Sequence, residues 1–176
     1  NDAHGTPVAI RNDATYLITG GLGSIGLATA QWLVERGARS LVLTGRNSPN
    51  ESTQRILDAL SSRGVAVRFA RADVAVEADV AALWKSLRGL PTLRGIIHCA
   101  GVLDDGILAQ MPWTKFEKVL AAKTRGAWLL HRQTRRSRLD FFILQSSILS
   151  RSPSGPNNVK SGTAMAPALM APKRPA

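Results

Sequence analysis

Short apolar runs alternate with amphipathic stretches along residues 14–145 of the chain. An apolar run bounded by glycine or polar residues predicts a strand, and apolar positions that recur roughly every three or four residues predict a helix. The predicted strands are 15–19, 40–44, 65–70, 95–99 and 139–145. The predicted helices are 25–36, 51–63, 77–88 and 113–134.

Strands that alternate with helices of about a dozen residues are typical of βαβ units with right-handed crossovers. The second strand (LVL) and the fifth (FFIL) lack alternating polar residues, which indicates a sheet covered on both faces. We therefore expect an α/β fold. It should be a Rossmann-like, doubly wound parallel sheet of about five strands in the order 3-2-1-4-5, with helices on both faces.

Composition divides the chain into three parts. Residues 1–13 are interpreted as a linker, 14–147 as the folded core and 148–176 as a basic, proline-rich tail. The tail contains five of the nine prolines and no acidic residue, and it has neither helical nor strand periodicity. We expect it to be loop or disordered. The start at Asn1 rather than Met suggests a processed product or a piece of a longer polypeptide.

Composition also excludes several classes of protein. Hydrophobic residues make up 44% of the chain, enough to bury a core. The single cysteine, Cys99, excludes an intramolecular disulfide framework and is typical of a reducing compartment, so we expect a cytoplasmic protein. No apolar run approaches the roughly 20 residues that span a bilayer, and no secretory leader is visible, so no membrane association is expected. The three histidines lack metal-ligand spacing, and we expect no metal.

The net charge is +11, with 23 basic and 12 acidic residues. A positive field of this size attracts nucleic acid, anionic membranes and phosphorylated ligands alike. Nucleic-acid binding usually combines basic residues with exposed aromatic rings, whereas the aromatic residues here lie inside apolar segments. We therefore expect no nucleic-acid partner.

A glycine-rich loop lies between the first predicted strand and the first predicted helix, where residues 21–26 match G-x-G-x-x-G. In this context the motif predicts a dinucleotide site, because glycines let the backbone approach a pyrophosphate and the helix N-terminus presents free N–H groups. A glycine-rich turn without a ligand is the alternative. The residues of this segment predicted to bind the cofactor are Thr19, Gly20, Gly21, Leu22, Gly23, Ser24, Ile25 and Gly26.

The residue that follows the second strand predicts which nucleotide binds. An NAD site usually has Asp or Glu there, about 20 residues after the glycine motif, to bind the ribose 2′-hydroxyl. This sequence has Arg46 instead. Arginine can pair with a 2′-phosphate, which favours NADPH, and the alternative is a solvated surface arginine. Asp73, after the third strand, can accept a hydrogen bond from the adenine amine or cap a helix.

Six segments of the sequence carry a family resemblance. They are TYLITGGLGSIG, VLTGR, ADV, HCAGVLDDG, KFEKVLAAKTRGAWLLH and LDFFILQSS. In order and spacing they resemble the ketoreductase domain of modular type I polyketide synthases, a member of the short-chain dehydrogenase/reductase superfamily. The resemblance runs from about residue 6 to residue 147. It implies NADPH-dependent reduction of a β-ketoacyl thioester on an acyl carrier protein, in polyketide or fatty acid biosynthesis, with neighbouring synthase domains as further partners.

The resemblance also implies roles for individual residues. Lys123 and Ser147 match the family's catalytic lysine and serine. A lysine can hold a proton relay or lower the pKa of a phenol, and a serine hydroxyl can bond a substrate carbonyl as it becomes an alkoxide. His98 and Cys99 open a segment that lines the nicotinamide side, and we interpret Cys99 as a small buried residue rather than a nucleophile. Further residues matching cofactor-binding positions are Val74, Ala100 and Gly101. Residues matching the LDD motif of B-type ketoreductases, which give a D-configured hydroxyl, are Leu103, Asp104 and Asp105.

The sequence departs from the family's pattern after Ser147. The catalytic tyrosine and asparagine are expected at positions 160 and 164, which hold Lys160 and Ala164, and the one tyrosine of the sequence is Tyr16. The family's last strands and catalytic helix have no counterpart in the pattern. A frameshift explains this departure better than a degenerate gene product does. Without the family's last strands, FFIL would form an exposed sheet edge, which is prone to aggregation.

The missing tyrosine separates three functional hypotheses. The first is an ancestral ketoreductase, which binds NADPH weakly or not at all and reduces ketones poorly or undetectably. The second is a non-catalytic NADP-binding or interaction fragment. The third is a short-chain dehydrogenase that acts on free small molecules, against which the LDD motif and the linker-like start both count.

Overall fold

The computed structural model describes residues 8–102 and 112–145. The strands are β1 (Thr15–Thr19), β2 (Ser40–Gly45), β3 (Ala66–Arg71), β4 (Leu93–His98) and β5 (Phe141–Leu144). The helices are α1 (Ser24–Glu35), α2 (Glu51–Ser61), α3 (Glu77–Ser86), α4 (Trp113–Leu120) and α5 (Gly126–Thr134). A π-helical turn, Ala121–Arg125, joins α4 to α5.

The five strands form one parallel sheet in the order β3-β2-β1-β4-β5, which confirms the predicted fold. The order reverses direction at β1, because the chain first builds outward to β3 and then returns to place β4 on the other side. In the pairing register, Thr19 at the end of β1 lies between Thr44 of β2 and His98 of β4. The polar ends of three strands therefore meet at the carboxyl edge, where α/β folds bind their ligands.

The sheet is covered by helices on both faces, as its apolar strands predict. Alternate residues of a strand point to opposite faces, so each strand contributes to two separate clusters. One cluster includes Tyr16, Ile18, Leu41 and Leu43 with Leu33 of α1 and Leu57 of α2. The other includes Leu17, Val42 and Ile96 with Leu83 of α3 and Leu130 of α5.

The predicted helix over 113–134 is interrupted, which the pattern did not predict. The structure has α4, the π-helical turn and α5 in place of one α-helix. A single π-helical turn leaves the average spacing of apolar residues close to that of an α-helix, so periodicity does not distinguish the two. The interruption matters because Lys123 lies inside it.

β5 is shorter and more exposed than the two central strands. It spans four residues rather than the predicted seven, and among the described residues it pairs with β4 alone. Phe141 stacks on Tyr16 with ring centroids 5.7 Å apart, while Leu144 is 43% exposed. Among the described residues, no helix has the length and apolar character needed to cross a membrane.

Candidate active site

A cleft of about 910 Å³ opens at the carboxyl edge of the sheet. Its wall is formed by the glycine loop, the segment after β2, the segment after β3, the segment after β4 and one side of the helix that follows. The predicted site residues that line it are Gly20, Leu22, Gly23, Arg46, Asp73, Val74, Ala100 and Gly101. Residues from four separate segments are thus brought to one cavity.

Three glycines of the loop, Gly20, Gly21 and Gly26, pack so closely that a Cβ atom is excluded at each of them. Gly20 has a φ of +64°, and a Cβ atom there would lie 2.7 Å from the backbone nitrogen of Ala100. A Cβ atom on Gly26 would overlap the Gly20 carbonyl and lie 2.6 Å from Cα of Gly21. The Gly21 N–H donates to the Thr44 carbonyl at 3.0 Å, which ties the loop to β2. The result is a shallow cradle of bare backbone in front of α1.

The first turn of α1 is suited to an anion. Its N-cap is Gly23, which offers no side-chain cap, and the turn contains no acidic residue. Exposed N–H groups and the positive end of the helix dipole stabilise negative charge at such a position. A dinucleotide pyrophosphate fits this cradle, because the glycines present bare backbone and the first turn of α1 has no acidic side chain.

Five predicted cofactor residues do not line the cleft. Thr19, Gly21 and Gly26 are buried beneath the loop, and Ser24 and Ile25 lie exposed on the first turn of α1. Buried members of the motif shape the loop instead of forming its surface. Conversely, the prediction missed several polar residues that line the cleft. These are Thr44, Asn47, Ser48, Asn50, Thr53 and Lys118.

The segment after β2 could have been singled out from its composition. Asn47, Ser48 and Asn50 are small and polar, which is typical of a turn that leads into a helix. Asn50 caps α2 by accepting a hydrogen bond from the Thr53 N–H at 2.8 Å. Lys118 of α4 has an exposed side chain and also borders the cleft.

Arg46 stands at the rim of the cleft with its side chain exposed. Its backbone carbonyl accepts a hydrogen bond from Arg71 Nε at 2.9 Å, which links the segment after β2 to the end of β3. Its place beside the glycine loop agrees with a contact to a 2′-phosphate.

Asp73 does not cap a helix. Its Oδ1 accepts a hydrogen bond from the Ala75 N–H at 2.9 Å, and the N-cap of α3 is Val76. The helix-capping alternative is therefore wrong, since α3 begins too far along the chain for Asp73 to cap it. Asp73 instead closes a tight turn at the edge of the cleft, and it is the one acidic residue among the described residues that line the cavity.

Lys123 lies against the segment after β4. Its Nζ donates to the Gln145 carbonyl at 2.8 Å, and a Cβ atom on Gly101 would lie 2.8 Å from Lys123 Cε. Burial lowers the pKa of Lys123 below the ordinary lysine value. A half-buried lysine with a lowered pKa exchanges a proton more readily than a solvated one, which suits a relay.

The surroundings of His98 and Cys99 disfavour the charged form of each side chain. The His98 ring is fully buried, and burial, followed by the charge of Lys123, lowers its pKa to about 4. Burial raises the pKa of the half-buried Cys99 thiol, which disfavours the thiolate that a nucleophile requires. The structure brings together no cluster of three potential metal ligands within 8–102 and 112–145.

Some predicted site residues lie outside the described residues. They are Ser147, Leu103, Asp104, Asp105, Lys160 and Ala164. Their roles stay predictions from the sequence.

Known proteins share this sequence over most of its length. The family model described as the KR domain matches residues 14–173. Over 147 residues the chain is 40% identical to the highly reducing polyketide synthase PKS6 of Gibberella zeae. Over 145 residues it is 39% identical to the lovastatin diketide synthase mokB of Monascus pilosus. These alignments cover 82% and 81% of this chain but 6% of each synthase.

A solved structure shares the fold as well. An N-terminal ketoreductase from the macrolactin assembly line superposes on the chain with a TM-score of 0.76 at 32% sequence identity. The superposition covers 81% of this chain and 30% of that one. The chain thus spans a small part of the synthases that it matches and about a third of the solved domain.

Proposed function

The chain belongs to the KR-domain family, the ketoreductases of polyketide synthases within the short-chain dehydrogenase/reductase superfamily, and on that premise we propose that it binds NADPH in the cleft at the carboxyl edge of the sheet. One observation carries the proposal. The glycine cradle, the uncapped start of α1 and Arg46 all border the same cavity. An anion-binding backbone and a guanidinium are therefore available to one phosphate-rich ligand.

The charges around the cleft support a ligand with several phosphates. Among the described residues that line the cavity, the cations Arg46 and Lys118 stand against one carboxylate, that of Asp73. In this arrangement the glycine loop and the first turn of α1 hold the pyrophosphate. The Arg46 guanidinium pairs with the 2′-phosphate, and Asp73 has a second carboxylate oxygen to offer to the adenine amine.

The family's reaction is reduction of a ketone, and the chemistry that the bound cofactor supplies is a hydride for the carbonyl carbon. We propose a β-ketoacyl thioester on an acyl carrier protein as the substrate, in keeping with relatives that are large multidomain synthases. In this proposal Ser147 donates a hydrogen bond to the carbonyl oxygen. Lys123, whose ammonium group donates to the Gln145 carbonyl, supports the proton relay to that substrate oxygen.

This sequence departs from that reaction at one step. The position expected for the family's tyrosine holds Lys160, and the one tyrosine, Tyr16, is fully buried in β1. No phenol is available to protonate the alkoxide, and a general acid typically contributes about 10²- to 10⁴-fold to a rate. We propose that the 176-residue chain binds NADPH weakly and reduces a pantetheine β-ketothioester more slowly than an intact family member by about that factor.

Thermal unfolding with NADPH and, in parallel, with NADH tests the binding proposal. A ligand that binds the native state raises the unfolding midpoint, and we expect a larger rise with NADPH. The Arg46→Ala variant should bind NADPH about 10- to 100-fold more weakly, because a hydrogen bond to a charged group contributes about 1.5–3 kcal/mol. Its response to NADH should be unchanged.

Arg63→Ala provides the matched control for this experiment. Arg63 is an exposed arginine that follows the end of α2 and does not border the cleft. Its removal changes the net charge by the same amount, so it should leave the preference for NADPH intact. An equal rise of the wild-type midpoint with both nucleotides would refute the proposed contact of Arg46 with the 2′-phosphate. No rise with either nucleotide would refute NADPH binding at this site.

A further inference from the structure

His98 lies between the glycine loop and the turn that carries Lys123, and the proposed function gives it no task. It is the last residue of β4, and its ring is 1% exposed. The register places it beside Thr19 of β1 on one side and Leu144 of β5 on the other. A fully buried polar ring at the ligand-binding edge of a sheet requires hydrogen-bond partners.

The partners of the ring fix its tautomer. His98 Nε2 lies 3.0 Å from the Ala122 carbonyl, which can only accept, so Nε2 carries the proton and donates. In the neutral ring Nδ1 then accepts, and the Thr19 hydroxyl donates to it at 2.6 Å. Thr19 Oγ1 in turn accepts from the Ala100 N–H at 3.4 Å. One chain of hydrogen bonds thus runs from the segment after β4, through the end of β1, into the π-helical turn.

The backbone of His98 reaches Lys123 from a second direction. The His98 carbonyl accepts a hydrogen bond from the Gln145 N–H at 3.0 Å. The carbonyl of the same Gln145 accepts from Lys123 Nζ at 2.8 Å. His98 therefore contacts both the residue that precedes Lys123 and the residue that holds its ammonium group.

Charge on the ring would break this arrangement. A protonated ring loses the acceptor at Nδ1 that receives the Thr19 hydroxyl hydrogen, and it would repel the neighbouring Lys123 ammonium. Gly126 adds a steric limit, because a Cβ atom there would lie 3.2 Å from His98 Cε1 and 2.9 Å from Val74 Cγ2. The ring therefore packs closely against Gly126, at the start of α5.

We propose that His98 is a positioning residue, which holds Lys123 against the Gly101 side of the cleft by donating a hydrogen bond from Nε2 to the Ala122 carbonyl. The importance of this placement for ketone reduction rests on the proposed function. The placement itself needs no bound nucleotide, since every bond in it lies within the chain.

Two variants of His98 separate the contact to Ala122 from the contact to Thr19. In His98→Gln the longer amide side chain can still donate to the Ala122 carbonyl. In His98→Asn the shorter amide reaches Thr19 but falls short of Ala122. A role in folding alone would make both variants respond in step with their stability, whereas positioning through Ala122 would separate them.

Nuclear magnetic resonance of the labelled lysine side chains, without nucleotide, measures the effect. We expect the pKa of Lys123 to rise toward the ordinary value of about 10.4 in His98→Asn, because the released turn lets water reach the ammonium group. In His98→Gln it should stay at the wild-type value. Lys85, exposed on α3, serves as the internal reference and should not respond in either variant. Equal Lys123 titration in the wild type and both variants would overturn the proposal.

A measurement on the unaltered chain decides the matter if His98→Asn does not fold. At pH 7 the nitrogen resonances of His98 should show a neutral ring with its proton on Nε2. A proton on Nδ1, or a charged ring, would overturn the proposal. Neither result depends on NADPH, so failure of nucleotide binding in the thermal experiment and failure of this placement remain separate outcomes.

Discussion

Gly20 of the glycine loop is constrained in two ways, by its backbone conformation and by close packing. Its positive φ is strained for any residue with a Cβ atom, and the Ala100 nitrogen occupies the space that a Cβ atom would need. Gly64, which follows α2, has a positive φ like Gly20, but nothing lies within 4 Å of its Cβ position. The two glycines therefore separate conformational strain from steric exclusion.

Substitution of these two glycines by alanine should have unequal costs. We expect Gly64→Ala to lower the free energy of unfolding by about 1–2 kcal/mol, from backbone strain alone. Gly20→Ala adds a clash with backbone that cannot give way, for a total of about 2–5 kcal/mol. Urea unfolding measures both changes. Equal losses in the two variants would show that the loop tolerates a Cβ atom and that the cradle is less tightly packed than described.

The π-helical turn is the element that aims the candidate catalytic side chain. It places Lys123 against Gly101 and places the Ala122 carbonyl at the His98 ring. Single π-helical turns occur frequently at functional sites, since the extra residue redirects one side chain out of the regular helical series. In this chain the turn also borders the cleft through Ala121 and Ala122.

β5 presents an apolar edge within the described part of the chain. Leu144 is 43% exposed, whereas the preceding residue, Ile143, packs against the cluster that includes Tyr16 and Leu33. Neighbouring residues of a strand face opposite sides, which gives two positions with different surroundings one residue apart. An exposed apolar edge strand favours association with other chains.

Leu144→Lys should reduce aggregation of the 176-residue chain. A charge on an edge strand opposes pairing with another strand, and the change at an exposed site should alter the free energy of unfolding by less than about 1 kcal/mol. Ile143→Lys is the control, and it should destabilise the chain by roughly 2 kcal/mol or more because a charge would replace packed apolar surface. Light scattering and urea unfolding distinguish the two effects. Unchanged scattering with Leu144→Lys would place the aggregating surface elsewhere.

The net charge of +11 and the buried His98 both make the behaviour of the protein depend on pH. The long-range field favours anionic ligands without specifying them. The histidine acts on stability, because its pKa is about 4 in the folded chain and about 6.5 in an unfolded one. Between these values the unfolded chain binds the additional proton, so stability must fall as pH falls.

The free energy of unfolding should therefore decrease by about 3 kcal/mol between pH 7 and pH 4 on account of His98, since one pKa unit corresponds to about 1.4 kcal/mol. Below the folded pKa this contribution should not change further. His98→Gln should remove it, while His131→Gln, which alters an exposed histidine on α5, should leave the curve as it is. Urea unfolding across this range measures the slope. An unchanged slope in His98→Gln would mean that the ring is not held neutral.

The fold and the glycine loop could both be predicted from local sequence patterns. Apolar runs such as TYLIT and SLVLT can only be buried in a sheet covered on both faces, and helical spacing between them requires parallel crossovers. The glycine motif could be recognised because all of its residues are close together in the sequence. A backbone that comes close to a phosphate needs several glycines, and the glycines of this loop lie within eight residues of each other along the chain.

The hydrogen bonds that hold the site together join residues that are far apart in the sequence. Thr19 and His98 are 79 residues apart, and His98 and Ala122 are 24 apart, so no local pattern predicts their hydrogen bonds. The π-helical turn leaves apolar spacing almost unchanged, and the fold places the exposed Lys118 beside the cleft. Sequence patterns encode which surfaces are buried. The partner of each buried polar group depends on which strand ends the topology brings together.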